Sequence, residues 1–182
     1  MREKTSFVEE LLLPHLDAAY NLARWIVASD AAAQAVVQEA YTYAWEQLEK
    51  FRAGDVRIRL LNIVRQRAYA WIRRQRSLSP FAEATWLAPA AKTSRALSHE
   101  GRKRDLHAGL QRLPVEFREI LMLDELEGCS YAQLAEILGL SMAAVTGRLS
   151  QARLLLRRVL TEIQRSGINV RAGWSLTSKG SA

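Results

Sequence analysis

Hydrophobic positions recur every three or four residues through most of the chain, the period of helices that bury one face. Leu16, Tyr20, Ala23 and Val27 mark one such stripe, and Val37, Tyr41, Ala44 and Leu48 mark a second. Gly54 interrupts the pattern. A third stripe follows in Leu60, Leu61, Val64, Ala68, Trp71 and Ile72, backed by a polar side of Arg59, Asn62, Gln66, Tyr69 and Arg73. Ser77, Ser79, Pro80, Pro89, Ser94, Ser98 and Gly101 then discourage continuous helix. A short helix from Arg104 to Arg112 leads to Leu113-Pro114, where proline suits the first turn of a helix whose core is Ile120, Leu121 and Leu123. The pattern predicts an all-α chain of two small helical domains, 1–76 and 105–165, joined by a flexible linker, 77–104. A tail, 166–182, rich in glycine and serine, is expected to fray.

The most specific stretch runs from Glu127 to Leu149. Ser130 and Gln133 have the spacing of a capping box, in which hydroxyl and amide satisfy backbone groups left open at a helix start. Gly139 suits the left-handed residue that ends that helix, and Ser141 caps another at once. The turn between them is then only about three or four residues, the geometry of a helix-turn-helix. Ala135 falls where the two helices cross, and Val145 points back into their shared core. Val145, Leu149, Ala152, Leu156 and Leu160 form the buried stripe of the second helix, leaving Arg148, Arg153, Arg157 and Arg158 outward, where cations meet phosphates. Met142, Ala143, Thr146, Gly147, Ser150 and Gln151 lie on its exposed front, within reach of base edges in a major groove. Any tight helical hairpin can use a glycine stop and a serine cap. DNA reading is favoured by the joint spacing together with the arginines that follow.

Charge sharpens this picture. The net +7 of the 182 residues is unevenly spread. Residues 1–50 hold four cations against eight carboxylates, whereas 51–82 hold eight cations against one carboxylate. Residues 114–136 are acidic again and 137–182 basic. Two basic blocks separated by a linker and an acidic helix suit a protein that grips a polyanion at two places. The polar side of the third helix could hydrogen-bond and stack on unpaired bases, with Arg52, Arg57, Arg65, Arg67, Arg74 and Arg76 gripping phosphates nearby. An ordinary solvated face has the same composition. Neither a signal peptide nor an apolar run long enough to cross a bilayer is evident. The lone Cys129 can form no internal disulfide, which fits a reducing cytoplasm, and His15, His99 and His107 share no metal-ligand spacing with it. With no nucleophile-base constellation, glycine-rich phosphate loop or metal cluster, an enzyme reading has little to build on, and no cofactor is expected.

Taken together, the two blocks resemble the extracytoplasmic-function group of the sigma-70 family, bacterial initiation factors reduced to two helical domains. In the second block Leu113-Pro114, Arg118, Leu121, Leu123, Glu127-Gly128, Ser130-Tyr131, Leu134-Ala135, Leu138-Gly139, Ser141, Val145, Arg148-Leu149 and Ala152-Arg153 follow the region 4 pattern. In the first, Val36-Val37-Gln38-Glu39, Ala44-Trp45, Phe51-Arg52, Leu60-Leu61, Ile63, Arg65, Trp71 and Arg73-Arg74 look like region 2. The resemblance implies that Gln38, Glu39 and Trp45 dock on the clamp helices of the polymerase β′ subunit, and that the second domain meets the β flap. It further implies that Arg52, Arg57, Arg59, Asn62, Gln66, Tyr69 and Arg73 open and read the minus 10 element, while Ser141, Thr146, Arg148, Ser150, Gln151 and Arg153 serve the minus 35 element.

Departures from the family pattern fall on functional positions. Ala32, Gln34 and Ala35 stand where carboxylates are usual, and Arg59, Gln66 and Ala70 replace a usual tryptophan, asparagine and aspartate. Thr146 and Gly147 replace common basic and serine positions in the reading helix. Three readings follow: an alternative sigma factor with core RNA polymerase and promoter DNA as partners and an anti-sigma protein as a further candidate; a sigma mimic that binds anti-sigma protein or polymerase without initiating; and a stand-alone helix-turn-helix regulator.

Overall fold

The computed structural model describes residues 8–47, 55–78 and 99–177, all of whose regular elements are helices. A π-helical turn at Val8–Leu12 and a 3-10 turn at Leu13–His15 precede α1 (Leu16–Val27), α2 (Asp30–Glu46) and α3 (Val56–Leu78). After the linker come α4 (His99–Gln111), α5 (Val115–Glu125), α6 (Tyr131–Leu138) and α7 (Met142–Thr177). Helix thus extends into both ends of the expected linker, and α7 continues past Ser166, where fraying is expected. No helix among the described residues is long and apolar enough to cross a membrane.

In the first module α1, α2 and α3 pack against one another. Ala28 closes α1 in the left-handed region (φ 55°), an uncommon conformation for a residue with a Cβ, and Ser29 caps α2 by accepting from Ala32 N–H. Tyr20 and Arg24 both donate to Asp30, tying the end of α1 to the start of α2. Asp55 opens α3 by accepting from Ile58 N–H at 3.2 Å. The buried stripe of α1 is Ala19, Leu22, Ala23, Ile26 and Val27, with Leu16 left exposed. Of the stripe expected from spacing, Ala23 and Val27 are buried and Tyr20 is half-buried against the core, so the helical face is as expected except at Leu16.

The second module forms around α7, against which α4, α5 and α6 all pack. Pro114 occupies the position just ahead of α5 rather than its first turn, with the extended backbone (φ −51°, ψ 145°) that leads a chain into a helix. Gly109 lets α4 approach α7 closely: a Cβ there would lie 2.9 Å from Leu160 Cδ2. The modules are not independent globules. Helix α1 packs on α5, and α3 on α6, so that buried residues from Leu12 to Ala152 form one continuous core.

Candidate nucleic-acid interface

The helix-turn-helix is built as its sequence predicts. Ser130 Oγ accepts from Gln133 N–H (3.3 Å) while the Gln133 side chain accepts from Ser130 N–H (2.9 Å), completing a capping box. Gly139 is left-handed (φ 65°, ψ 40°), and Leu140 N–H donates to Ala135 O across the turn. Ser141 Oγ then accepts from Ala144 N–H at 3.2 Å, starting α7. Val145, Leu149 and Ala152 are buried, which fixes the rotation of α7 and turns Met142, Ala143, Thr146, Gly147, Ser150 and Gln151 to solvent.

On this front the hydroxyls of Thr146 and Ser150 donate to the carbonyls of Met142 and Thr146 one turn back, leaving their oxygens able to accept from a ligand. Gln151 is exposed. A Cβ at Gly147 would meet nothing within 4 Å, so packing does not require glycine there. Arg148 is half-buried. Arg153 differs from the expected free phosphate grip: its guanidinium is held by Asp124 Oδ2 (2.6 Å) and Glu125 Oε1 (3.0 Å) of α5.

The polar side of α3 is placed differently again. Arg57 Nη2 donates to the Glu127 carbonyl (2.7 Å) and carboxylate (3.0 Å), and Asn62 Nδ2 donates to Glu136 O (3.3 Å) and Ile137 O (3.0 Å). Arg65 meets Glu119 through two donors, at 3.1 and 3.2 Å, and its guanidinium lies 4.9 Å from the Tyr69 ring centre. All of these acceptors belong to the second module. Gln66 bonds to Asn62 within α3, Gln66 and Arg73 remain exposed, and Arg59 is half-buried. Arg52 lies outside the described residues.

Glu119 is the fully buried charged side chain at this junction. Burial pushes its pKa up, and Arg65, Tyr69 and Arg148 oppose that shift. Burial likewise raises the Tyr69 phenol. A second junction is made by Arg118, which donates to the carbonyls of Leu110, Gln111, Leu113 and Trp25, while the Trp25 and His107 rings meet at 4.9 Å. Sequence reasoning missed Glu119 and the structural role of Arg118. The available signal was a carboxylate set directly beside the apolar Ile120 in the core of α5. Cys129 is buried, its thiol pushed up by burial, in keeping with packing rather than reactivity.

The outer face of α2 carries Gln38, Glu39 and Trp45 beside an open groove of about 500 Å³ lined by Ala35, Gln38, Glu39, Thr42, Tyr43, Glu46, Arg67 and Arg74. Arg74 reaches Glu39 at 3.2 Å, and Arg67 stands over the Tyr43 ring at 4.8 Å. Gln38 and Trp45 are exposed and Glu39 half-buried. No group of three or more His, Cys, Asp or Glu side chains is placed to hold a metal ion among the described residues.

Comparison with known proteins places these modules. Residues 11–78 match the family model for Sigma-70 region 2, and 103–156 that for Sigma-70, region 4. A probable RNA polymerase sigma factor, RfaY, of Xanthomonas campestris pv. campestris is 37% identical over 140 residues, covering 72% of this chain and 35% of the relative. The ECF RNA polymerase sigma factor SigE of Mycolicibacterium smegmatis is 27% identical over 158 residues, covering 85% and 62%. The chain therefore spans about a third of one relative and 62% of the other. Among solved structures, the sigma factor RpoE in complex with the anti-sigma factor NepR, from Bartonella quintana, aligns with a TM-score of 0.69 at 23% identity, covering 86% of this chain and 98% of that one. CnrH in complex with the cytosolic domain of CnrY aligns at 0.60 and 26%, covering 88% and 89%.

Proposed function

Because the chain belongs to the sigma-70 family, in the two-region form of its extracytoplasmic-function group, we propose that it is an alternative sigma factor that joins core RNA polymerase and directs it to promoters. One observation carries the reading: a helix-turn-helix with both caps in place turns Thr146, Ser150 and Gln151 outward together, as major-groove readout requires.

In this reading Ser141, Thr146, Arg148, Ser150 and Gln151 meet the minus 35 element, with Arg153 holding α5 and α7 together beside them. Arg52, Arg57, Arg59, Asn62, Gln66, Tyr69 and Arg73 serve the minus 10 element. Gln38, Glu39 and Trp45 meet the β′ clamp helices, and the second domain the β flap. Residues 1–76 and 105–165 act as the two functional domains, 77–104 as their linker and 166–182 as a tail. The chain lends specificity to an enzyme rather than catalysing a reaction, and works in the cytoplasm where polymerase is found. An anti-sigma factor, NepR, is bound to the sigma factor in one solved relative, and such a protein is a natural regulator here.

The mimic reading has one specific support: Gln34 and Ala35 are exposed on α2 and leave the docking face without the carboxylates usual there. A stand-alone regulator does not explain why the helix-turn-helix shares a core with the first module. The test is transcription by core polymerase on a random-promoter library, with and without the chain. Chain-dependent transcripts sharing two spaced elements support the proposal. Binding to core without any such transcripts favours the mimic, and absence of core binding overturns the sigma reading.

A further inference from the structure

The front of α7 is neutral. Met142, Ala143, Thr146, Gly147, Ser150 and Gln151 are all exposed, and none of them carries a charge. The arginines beside them are engaged elsewhere. Arg153 is held by Asp124 and Glu125, and Arg148 is half-buried, close enough to the buried Glu119 carboxyl to favour its charge. Arg157 and Arg158 follow more than a turn after Gln151, past the last reading position. Side-chain donors are few as well. Thr146 and Ser150 commit their hydroxyl protons to the carbonyls of Met142 and Thr146, at 3.0 Å each, and so present lone pairs outward. Of the six residues, Gln151 alone has a side-chain N–H donor.

This inventory discriminates between bases. In the major groove guanine shows two acceptors, N7 and O6, which an arginine or lysine satisfies together. Adenine shows an acceptor and a donor, N7 and N6–H, which match the two ends of a glutamine amide, and thymine adds a methyl group suited to apolar contact. An outward hydroxyl oxygen accepts from the exocyclic amine of adenine or cytosine, a group that guanine and thymine do not show in that groove. Guanine facing this helix would leave its acceptors desolvated without a matching pair of donors.

We propose that α7 reads an adenine-rich element with no guanine on the strand its front faces. Gln151 takes adenine N6 and N7, Thr146 and Ser150 accept from exocyclic amines, and Met142 and Ala143 meet thymine methyls. This rests on the minus 35 role given to α7 above. Side chains as short as these reach base edges only where the helix lies deep in the groove, and Gly147, at which a Cβ would meet nothing in the protein, adds no bulk to that face.

The full chain, alone and bound to core RNA polymerase, tests this by selection from a randomised duplex pool, beside Gln151→Arg and Thr146→Val. Both positions are exposed and outside the core, so the fold is not at stake. The parent should select adenine at the position that Gln151→Arg alters, and the variant should exchange it for guanine there by about ten-fold or more, leaving the other positions unchanged. Thr146→Val, which lacks the hydroxyl acceptor, should lose the preference for an amine-bearing base at a second position. Guanine selected by the parent at the position that Gln151→Arg alters overturns the inference and leaves the minus 35 reading intact. A sequence preference that neither variant changes moves base reading off this face and overturns both. So does a pool recovered without sequence preference by the free chain and by the complex.

Discussion

Arg118 Nη1 donates to the carbonyl of Trp25 at 2.8 Å, joining α5 to the last turn of α1. The same guanidinium satisfies Leu110, Gln111 and Leu113 at the end of α4. Leu110 O also accepts from Leu113 N–H at 3.1 Å, and Arg118 adds donors to it and to the Gln111 and Leu113 carbonyls, so one side chain both caps the end of α4 and fixes its module against the other. Arg118→Lys, whose compact ammonium lacks the planar fork, should leave two or more acceptors unmet. A loss of about 2 to 4 kcal/mol in urea unfolding is expected, with both modules loosening together. A change below about 0.5 kcal/mol would show that water replaces these bonds.

Glu119 predicts a pH dependence of definite sign. Burial raises its pKa above the ordinary 4.5, so the folded state holds its proton more tightly than the unfolded chain does. Its contribution to stability is therefore fullest below the unfolded pKa and is lost as pH rises through the folded one. Glu119→Gln cannot titrate. The stability of the parent minus that of the variant should fall as pH rises from about 4 towards 7, measured by denaturant unfolding at each pH. A difference that stays flat or rises would mean that the Arg65 pairing outweighs burial.

On α7, phosphate grip and base readout should separate. Arg148→Ala should weaken binding to all duplexes and reduce the slope of log affinity against log salt by about one unit. Arg153→Ala should change that slope less, because Asp124 and Glu125 already neutralise the guanidinium. Gln151→Glu should change which minus 35 sequence is selected, with about 1 to 3 kcal/mol at stake for a bidentate contact. Selection from a randomised duplex pool measures this, and an unchanged preference removes Gln151 from the reading surface.

The outer face of α2 can be tested without disturbing the fold. Gln38 is exposed, and the Glu39–Arg74 pair is half-exposed on both sides, where an ion pair contributes about 0 to 1 kcal/mol. Gln38→Ala with Glu39→Ala should leave the melting temperature within a few degrees of the parent, on the order of 1 kcal/mol. Core polymerase binding, followed by fluorescence anisotropy, should weaken clearly. Equal binding by parent and variant would move the polymerase contact elsewhere.

The sequence by itself determined the helix-turn-helix, because every feature that defines it acts over a few residues. Ser130 with Gln133, the left-handed Gly139 and the Ser141 cap are local bonds between groups near each other in the chain. Apolar spacing likewise set the buried side of α7 and the outward front that carries Gln151. It also marked the polar side of α3, but only as a face, since periodicity says which residues share a side and nothing of what lies opposite. That was decided by tertiary packing: Arg57 meets Glu127 across 70 positions, Asn62 meets Ile137 across 75 and Arg65 meets Glu119 across 54. A carboxylate in a sequence reads as solvent-facing by default. Only the approach of α3 to α5 and α6 makes burying Glu119 tolerable, by bringing Arg65 against it. Arg153 follows the same logic, outward by spacing yet claimed by two carboxylates of a helix that packs beside it.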